Sequence, residues 1–161
     1  MPSSPVRPPV APRPLVGLLD HLRLAAPPGA DAVQVSGVTH ASDQALAGDL
    51  LVALRGARTH GAHFVGQAVQ RGAVAVLTDS EGAAVAAATG VPVVVADDPR
   101  ALLGEAAAWV YGFPAQGIIT YGVTGTNGKT TVTTLLHHVL SGLAGPAGLV
   151  GTIEARVGTR V

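Results

Sequence analysis

A chain of 161 residues whose ten basic and ten acidic side chains cancel has no basic excess with which to hold nucleic acid or an anionic membrane. It has no cysteine, which excludes disulfides and Cys-ligated zinc and fits a reducing compartment, and 48% hydrophobic but only 3% aromatic residues require a core of Ala, Val and Leu. The longest apolar stretch, Gly82 to Ala96, is broken by Gly90 and Pro92 and is too short to span a bilayer, so the expected class is a soluble, cytoplasmic α/β protein.

Six of the twelve prolines fall within residues 1–14, which predicts a disordered tail. Leu15, Leu18, Leu19 and Leu22 then recur at helical spacing, ending before Pro27-Pro28-Gly29. Val33, Val35 and Val38 predict a short strand region, and Asp49 to Leu54 a buried strand entered through a turn at Gly48. Val65, Ala68 and Val69 share one face of a helix that stops near Gly72. Ala73 to Leu77 predicts a strand, Gly82 to Ala88 an alanine-rich helix, and Val91 to Val95 a strand whose Pro92 suggests an edge. Leu102, Leu103, Ala106, Trp109 and Val110 form a helical stripe after Pro99, which suits a first helical position.

The segment Gly112 to Gly117 interrupts this alternation and marks a domain boundary. A strand is predicted over Ile118 to Val123, followed by a glycine loop. Next comes a helix carrying Val132, Leu135, Leu136, Val139, Leu140 and Leu143 on one face, then a strand from Gly148 to Ile153. Strand–helix alternation of this kind predicts a mainly parallel sheet covered by helices.

The loop GVTGTNGKTT, Gly122 to Thr131, lies between a predicted strand and a predicted helix, the setting of a phosphate-binding loop. Unpaired N–H groups and the dipole at a helix start attract phosphate, and glycines let the backbone close around it. A lysine reaches the terminal phosphates, and the next hydroxyl can bind Mg²⁺. Those roles would fall to Gly125, Gly128, Lys129 and Thr130. The pattern G-x-x-x-x-G-K-[ST] is not met, because Val123 stands six before Lys129. The loop nevertheless holds the chain's one lysine and its one asparagine, Asn127. The alternative is a glycine-rich turn with an incidental lysine.

This loop resembles the ATP loop of the Mur ligases, G-T-x-G-K-T-[TS]. Ala47 to Gly56 (AGDLLVALRG), then Thr59 to Phe64 (THGAHF), resembles the PGDLFVAL.G…DG..F block of the MurE and MurF N-terminal domain. Arg71 to Leu77 and Asp97-Asp98-Pro99-Arg100 continue the likeness, and Gly148 to Ile153 (GLVGTI) favours the MurE type. The resemblance implies an α/β fold: a tail over 1–14, a small UDP-substrate-binding domain over 15–114, and the truncated start of a parallel P-loop domain over 115–161. It implies an ATP- and Mg²⁺-dependent ligase that joins a diamino acid to UDP-MurNAc-L-Ala-D-Glu through an acyl phosphate and acts as a monomer, with no membrane or nucleic-acid partner.

Carried over by position, ATP would be held by Gly125, Thr126, Asn127, Gly128, Lys129, Thr130 and Thr131, with Lys129 catalytic and Thr130 on the metal. The UDP end would meet His40 and Ser42 before the GDL block and Ala57, Arg58 and Thr59 after it. Relatives often read D-S-R where this chain has Ala41-Ser42-Asp43, so the serine is kept without its acid and arginine. Ser42 could equally be a turn residue, and Arg58 and Thr59 solvated loop residues. His60 and His63 have no acid at ligand spacing, His137 and His138 lie off the apolar stripe, and Trp109 reads as core. The chain itself reads as the N-terminal part of a longer ligase, expected to bind without catalysing; a MurF-type ligase and a non-catalytic nucleotide-binding module are the alternatives.

Overall fold

The computed structural model describes residues 7–143, 145–153 and 155–157, divided into a first unit ending at Ile118 and a second beginning at Ile119. In the first unit Arg13–Pro14 (β1) leads directly into helix α1 (Leu15–Leu22), and β1 pairs antiparallel with Gln34–Val35 (β2). The expected disordered tail therefore does not hold for residues 7–14, while residues 1–6 lie outside the described residues. The physical reason is anchoring that prolines do not forbid. Arg7 bonds Asp49, Val10 packs on the core, and Arg13 stacks over the Trp109 ring at 3.7 Å.

A four-stranded sheet follows in strictly sequential order: β3 (Gly37–Thr39), β4 (Asp49–Val52), β5 (Ala75–Thr78) and β6 (Val93–Val95), all parallel. Helix α2 (Val65–Gln70) lies between β4 and β5, α3 (Ser80–Ala86) between β5 and β6, and α4 (Pro99–Val110) after β6. Every residue of the two central strands is buried, as expected for strands covered on both faces, and β6 is the edge strand that Pro92 suggested.

Alternation along the strands sends side chains into two cores. Leu50, Val52, Ala75, Leu77 and Val94 pack with α1 and α4, including Leu18, Ala106 and Trp109. Leu51, Ala53 and Val76 pack on the other face with Val65, Ala68 and Ala86 from α2 and α3. Two aspartates start helices by accepting N–H bonds: Asp79 from Gly82 at 2.7 Å and Asp98 from Ala101 at 3.0 Å, with Pro99 in the first turn of α4.

In the second unit, helix α5 (Lys129–Leu143) follows the glycine loop, and β7 (Gly148–Val150) pairs antiparallel with β8 (Ala155–Val157). Two expectations fail here. The segment from Ile118 to Val123 forms no strand, because no described strand lies beside it to complete a ladder. The pairing of β7 is antiparallel rather than parallel, because its partner β8 is the next segment of chain. Val132, Leu135, Val139 and Leu143, the apolar stripe of α5, are exposed.

Candidate functional site

Parallel strands collect the loops that follow them at one edge of a sheet, and ligands in such folds bind outside the carboxyl ends of the strands. β3 and β4 are neighbours and run the same way, so the two segments singled out for the UDP end both leave from that edge. After β3, Thr39 Oγ1 accepts the Ala41 N–H at 3.1 Å and turns the chain into one 3₁₀ turn, Ser42–Gln44. Ser42 Oγ donates to Gln67 Oε1 on α2 at 2.8 Å, which leaves the hydroxyl oxygen's lone pairs available to a ligand donor. His40, at the edge itself, is exposed.

After β4 the chain makes a tight turn. Arg55 and His60 form an antiparallel bridge, and the Gly56 N–H bonds the Thr59 carbonyl at 3.0 Å. Ala57, Arg58 and Thr59 are exposed at its tip, and among the described residues Arg58 has no ion pair or hydrogen bond. A free guanidinium beside backbone and hydroxyl donors suits an anionic, hydrogen-bonding ligand such as a nucleoside diphosphate.

Three features of this edge escaped sequence reasoning. Gln67 reads as an ordinary helix surface residue. Arg100 donates to the Arg55 carbonyl at 3.0 Å, a bond between residues 45 positions apart. His60 does have an acid: its Nε2 lies 3.1 Å from Asp79, 19 residues on. That distance hides the pair from any search for ligand spacing. Asp79 is held below the ordinary carboxylate pKa of 3.8, chiefly by the Gly82 N–H and then by His60. Among the described residues no group of three or more His, Cys, Asp or Glu could hold a metal ion.

The glycine loop of the second unit is built by two backbone conformations. Gly125 has φ +146° and Gly128 φ +77°, a region that side-chain-bearing residues avoid. The first helical bond runs from the Val132 N–H to the Gly128 carbonyl at 2.9 Å, so the N–H groups just before it have no intrahelical partner. Lys129 folds back over the loop, its Nζ donating to the Gly125 carbonyl and, at 3.3 Å, to that of Thr126. Thr126, Asn127, Thr130 and Thr131 are exposed around it. Unpaired N–H groups, one ammonium and a free hydroxyl at Thr130 form a donor set that fits a polyphosphate and its Mg²⁺. His137, which lies off the apolar stripe, bonds the Ala147 carbonyl at 3.1 Å and is half-buried rather than exposed.

A parallel α/β unit with loops gathered at the carboxyl edge, followed by a glycine loop at a helix start, defines an α/β protein with the layout of a phosphate-loop fold. Residues 34–111 match the family described as "Mur ligase family, catalytic domain", and residues 123–160 match "Mur ligase middle domain". The chain belongs to the Mur ligase family. It is 49% identical over 157 residues to the UDP-N-acetylmuramoyl-L-alanyl-D-glutamate–2,6-diaminopimelate ligase of Streptomyces coelicolor, covering 98% of this chain and 30% of that protein. It is 46% identical to a UDP-N-acetylmuramyl-tripeptide synthetase of Leifsonia xyli, covering 96% and 30%. The chain thus spans about 30% of the length of these relatives.

Among solved structures, a UDP-N-acetylmuramoyl-L-alanyl-D-glutamate–2,6-diaminopimelate ligase shares the fold with a TM-score of 0.63, at 22% identity, over 87% of this chain and 28% of that one. The MurF ligase of Thermotoga maritima in complex with ADP shares it with a TM-score of 0.52, at 23% identity, over 68% and 24%. Among the described residues no helix is long and apolar enough to cross a membrane.

Proposed function

We propose that this chain supplies the UDP-binding domain and the ATP loop of a cytoplasmic ligase of peptidoglycan precursor synthesis. The reaction adds 2,6-diaminopimelate, or another diamino acid, to UDP-MurNAc-L-Ala-D-Glu. The observation that carries this reading is the loop: Gly125 and Gly128 bring Lys129, Thr130 and the unpaired N–H groups together at the start of α5. The printed names of the Streptomyces coelicolor and Leifsonia xyli relatives support the substrate.

On this reading residues 15–114 hold the UDP end through His40, Ser42, Ala57, Arg58 and Thr59. Residues 115–161 hold ATP through Gly125 to Thr131, with Thr130 on Mg²⁺. Bound ATP supplies the phosphoryl group that turns the substrate's terminal carboxylate into an acyl phosphate, which the incoming amine attacks with loss of phosphate. The chain's own part is to bind and orient. Lys129 exchanges its contacts with the loop carbonyls for the phosphate oxygens, where its charge offsets theirs. Holding both substrates converts a bimolecular encounter into a positioned one. The 161 residues alone bind the UDP end as a monomer and do not ligate.

The test is a chimera in which this chain replaces the matching segment of the Streptomyces coelicolor ligase. ADP release requiring both UDP-MurNAc-L-Ala-D-Glu and diaminopimelate is expected. A folded chimera without that dependence overturns the ligase reading, and the same ADP release from the 161 residues alone overturns the binding-only reading.

A further inference from the structure

Among the described residues, His60 and Asp49 are the only buried titratable side chains. A buried imidazole needs partners for both ring nitrogens, and His60 has them. Its Nδ1 accepts the Ala62 N–H at 3.0 Å, so the ring proton of the neutral form sits on Nε2. That nitrogen faces the Asp79 carboxylate at 3.1 and 3.2 Å, and Asp79 Oδ1 also caps α3 through the Gly82 N–H. At the other end of the same turn, the Arg55 guanidinium pairs with Glu81 in the first turn of α3. Both ends of the Arg55–His60 turn are therefore fastened to one helix start, and the exposed tip between them is set by those two ties.

We propose that His60 is a positioning residue for nucleotide binding: through Asp79 it fixes the 55–60 turn against α3 and so presents Arg58 and Thr59 to the UDP end of the substrate. This rests on the reading that the turn meets that end. Ordering the tip in advance lowers the entropy lost when the ligand binds, which is how a residue that touches no ligand strengthens binding. Gly82 belongs to the same device. A Cβ there would stand 2.6 Å from His60 Cε1, so only glycine lets the imidazole lie against the helix.

The test uses the purified 161-residue chain with UDP as the probe. His60→Asn keeps an acceptor for the Ala62 N–H but cannot reach Asp79; Asp79→Asn keeps the α3 cap through Oδ1 but turns the Oδ2 position, the nearer to His60 Nε2 at 3.1 Å, from an acceptor into a donor. Each is expected to weaken UDP binding about tenfold, and the double variant no further, because both remove one link. Amide hydrogen exchange over residues 56–59 should rise in all three variants without ligand, and ¹⁵N spectra should show a pyridine-type Nδ1 and a pyrrole-type Nε2 in the wild type. Arg58→Ala and Thr59→Ala report on the underlying reading. If these two weaken binding while His60→Asn and Asp79→Asn leave affinity and exchange unchanged, the positioning role is overturned and the turn's contact with UDP stands. If Arg58→Ala and Thr59→Ala change nothing, the contact itself falls, and the positioning role with it.

Discussion

Arg7 Nη1 lies 2.6 and 2.5 Å from the two carboxylate oxygens of Asp49, joining residues 42 positions apart, while Arg7 Nη2 donates to the Gln44 carbonyl at 3.0 Å. Asp49 opens β4 and its side chain is 2% exposed, so the N-terminal segment neutralises a carboxylate buried at the amino edge of the sheet. Removing the arginine leaves that charge with the Leu46 N–H as its remaining partner. Arg7→Ala should cost about 3 kcal/mol. In thermal unfolding this reads as a midpoint lowered by roughly 10 °C. Arg7→Met combined with Asp49→Asn should lose clearly less than Arg7→Ala, since no charge is then stranded; an equal loss would show that packing, not the ion pair, holds the segment.

The fold tolerates methyl groups very unevenly. At Gly82 a Cβ would lie 2.1 Å from Thr78 Oγ1, and Thr78 is fully buried with its hydroxyl on the Ala53 carbonyl. At Gly104, in the middle of α4, nothing lies within 4 Å. Gly82→Ala should destabilise by about 2 kcal/mol through overpacking. Gly104→Ala should stabilise by about 1 kcal/mol through lower unfolded-state entropy. Denaturant midpoints of the two variants moving in the same direction would contradict both assignments.

Acid should weaken the first unit through Asp79. Its carboxyl is held below 3.8 in the folded chain, chiefly by the Gly82 N–H and then by His60. A depressed folded pKa means that between the two values the unfolded chain binds more protons, so stability rises with pH there. The contribution is fully present above the unfolded value and is lost as pH falls through the folded one. Asp79→Asn should therefore be less stable than wild type at neutral pH and converge on it below about pH 4. Parallel stability curves from neutral to acid pH would contradict this.

In the chimeric ligase, Lys129→Ala should lower turnover by about 10²- to 10³-fold, the scale of losing one preorganised charge donor to a transferring phosphoryl group. Gly128→Ala should weaken ATP binding without a comparable loss of UDP binding, because a φ of +77° strains any side-chain-bearing residue and the loop would shift. Unchanged turnover in Lys129→Ala would remove the loop from the mechanism.

Ser42 and Gln67 should behave as a coupled pair toward UDP. Ser42→Ala removes the hydroxyl proposed to meet the ligand, and Gln67→Ala removes the acceptor that orients it at 2.8 Å. A double-mutant cycle should show a coupling of about 1 kcal/mol. Strict additivity would place Ser42 as a turn residue only.

Much of this architecture is legible in the residues because it depends on local rules. Leu15, Leu18 and Leu19 repeat at the helical period and are buried on α1; Asp98-Pro99 starts α4 as an acidic cap and a first-turn proline must. The valine- and leucine-rich runs at 49–52 and 75–78 are continuous because both faces of their strands are covered, which a reader of composition can see. The turn of the loop at Gly125 and Gly128 is legible for the same reason: positive φ demands glycine.

What the sequence could not decide is every contact that depends on distant segments meeting. His60 and Asp79, Ser42 and Gln67, Arg7 and Asp49 are separated by 19, 25 and 42 residues, and no periodicity or spacing rule links them. The proline-rich start looked free of structure by composition, yet residues 7–14 are held by an ion pair and by Arg13 against Trp109. The segment from Ile118 had strand composition but no neighbour to pair with, and a strand exists only in its hydrogen bonds to another. Local chemistry thus determined the elements and the phosphate loop; the tertiary structure alone decided which side chains would be tied together around the candidate site, because charge pairing and hydrogen bonding act through space and not along the chain.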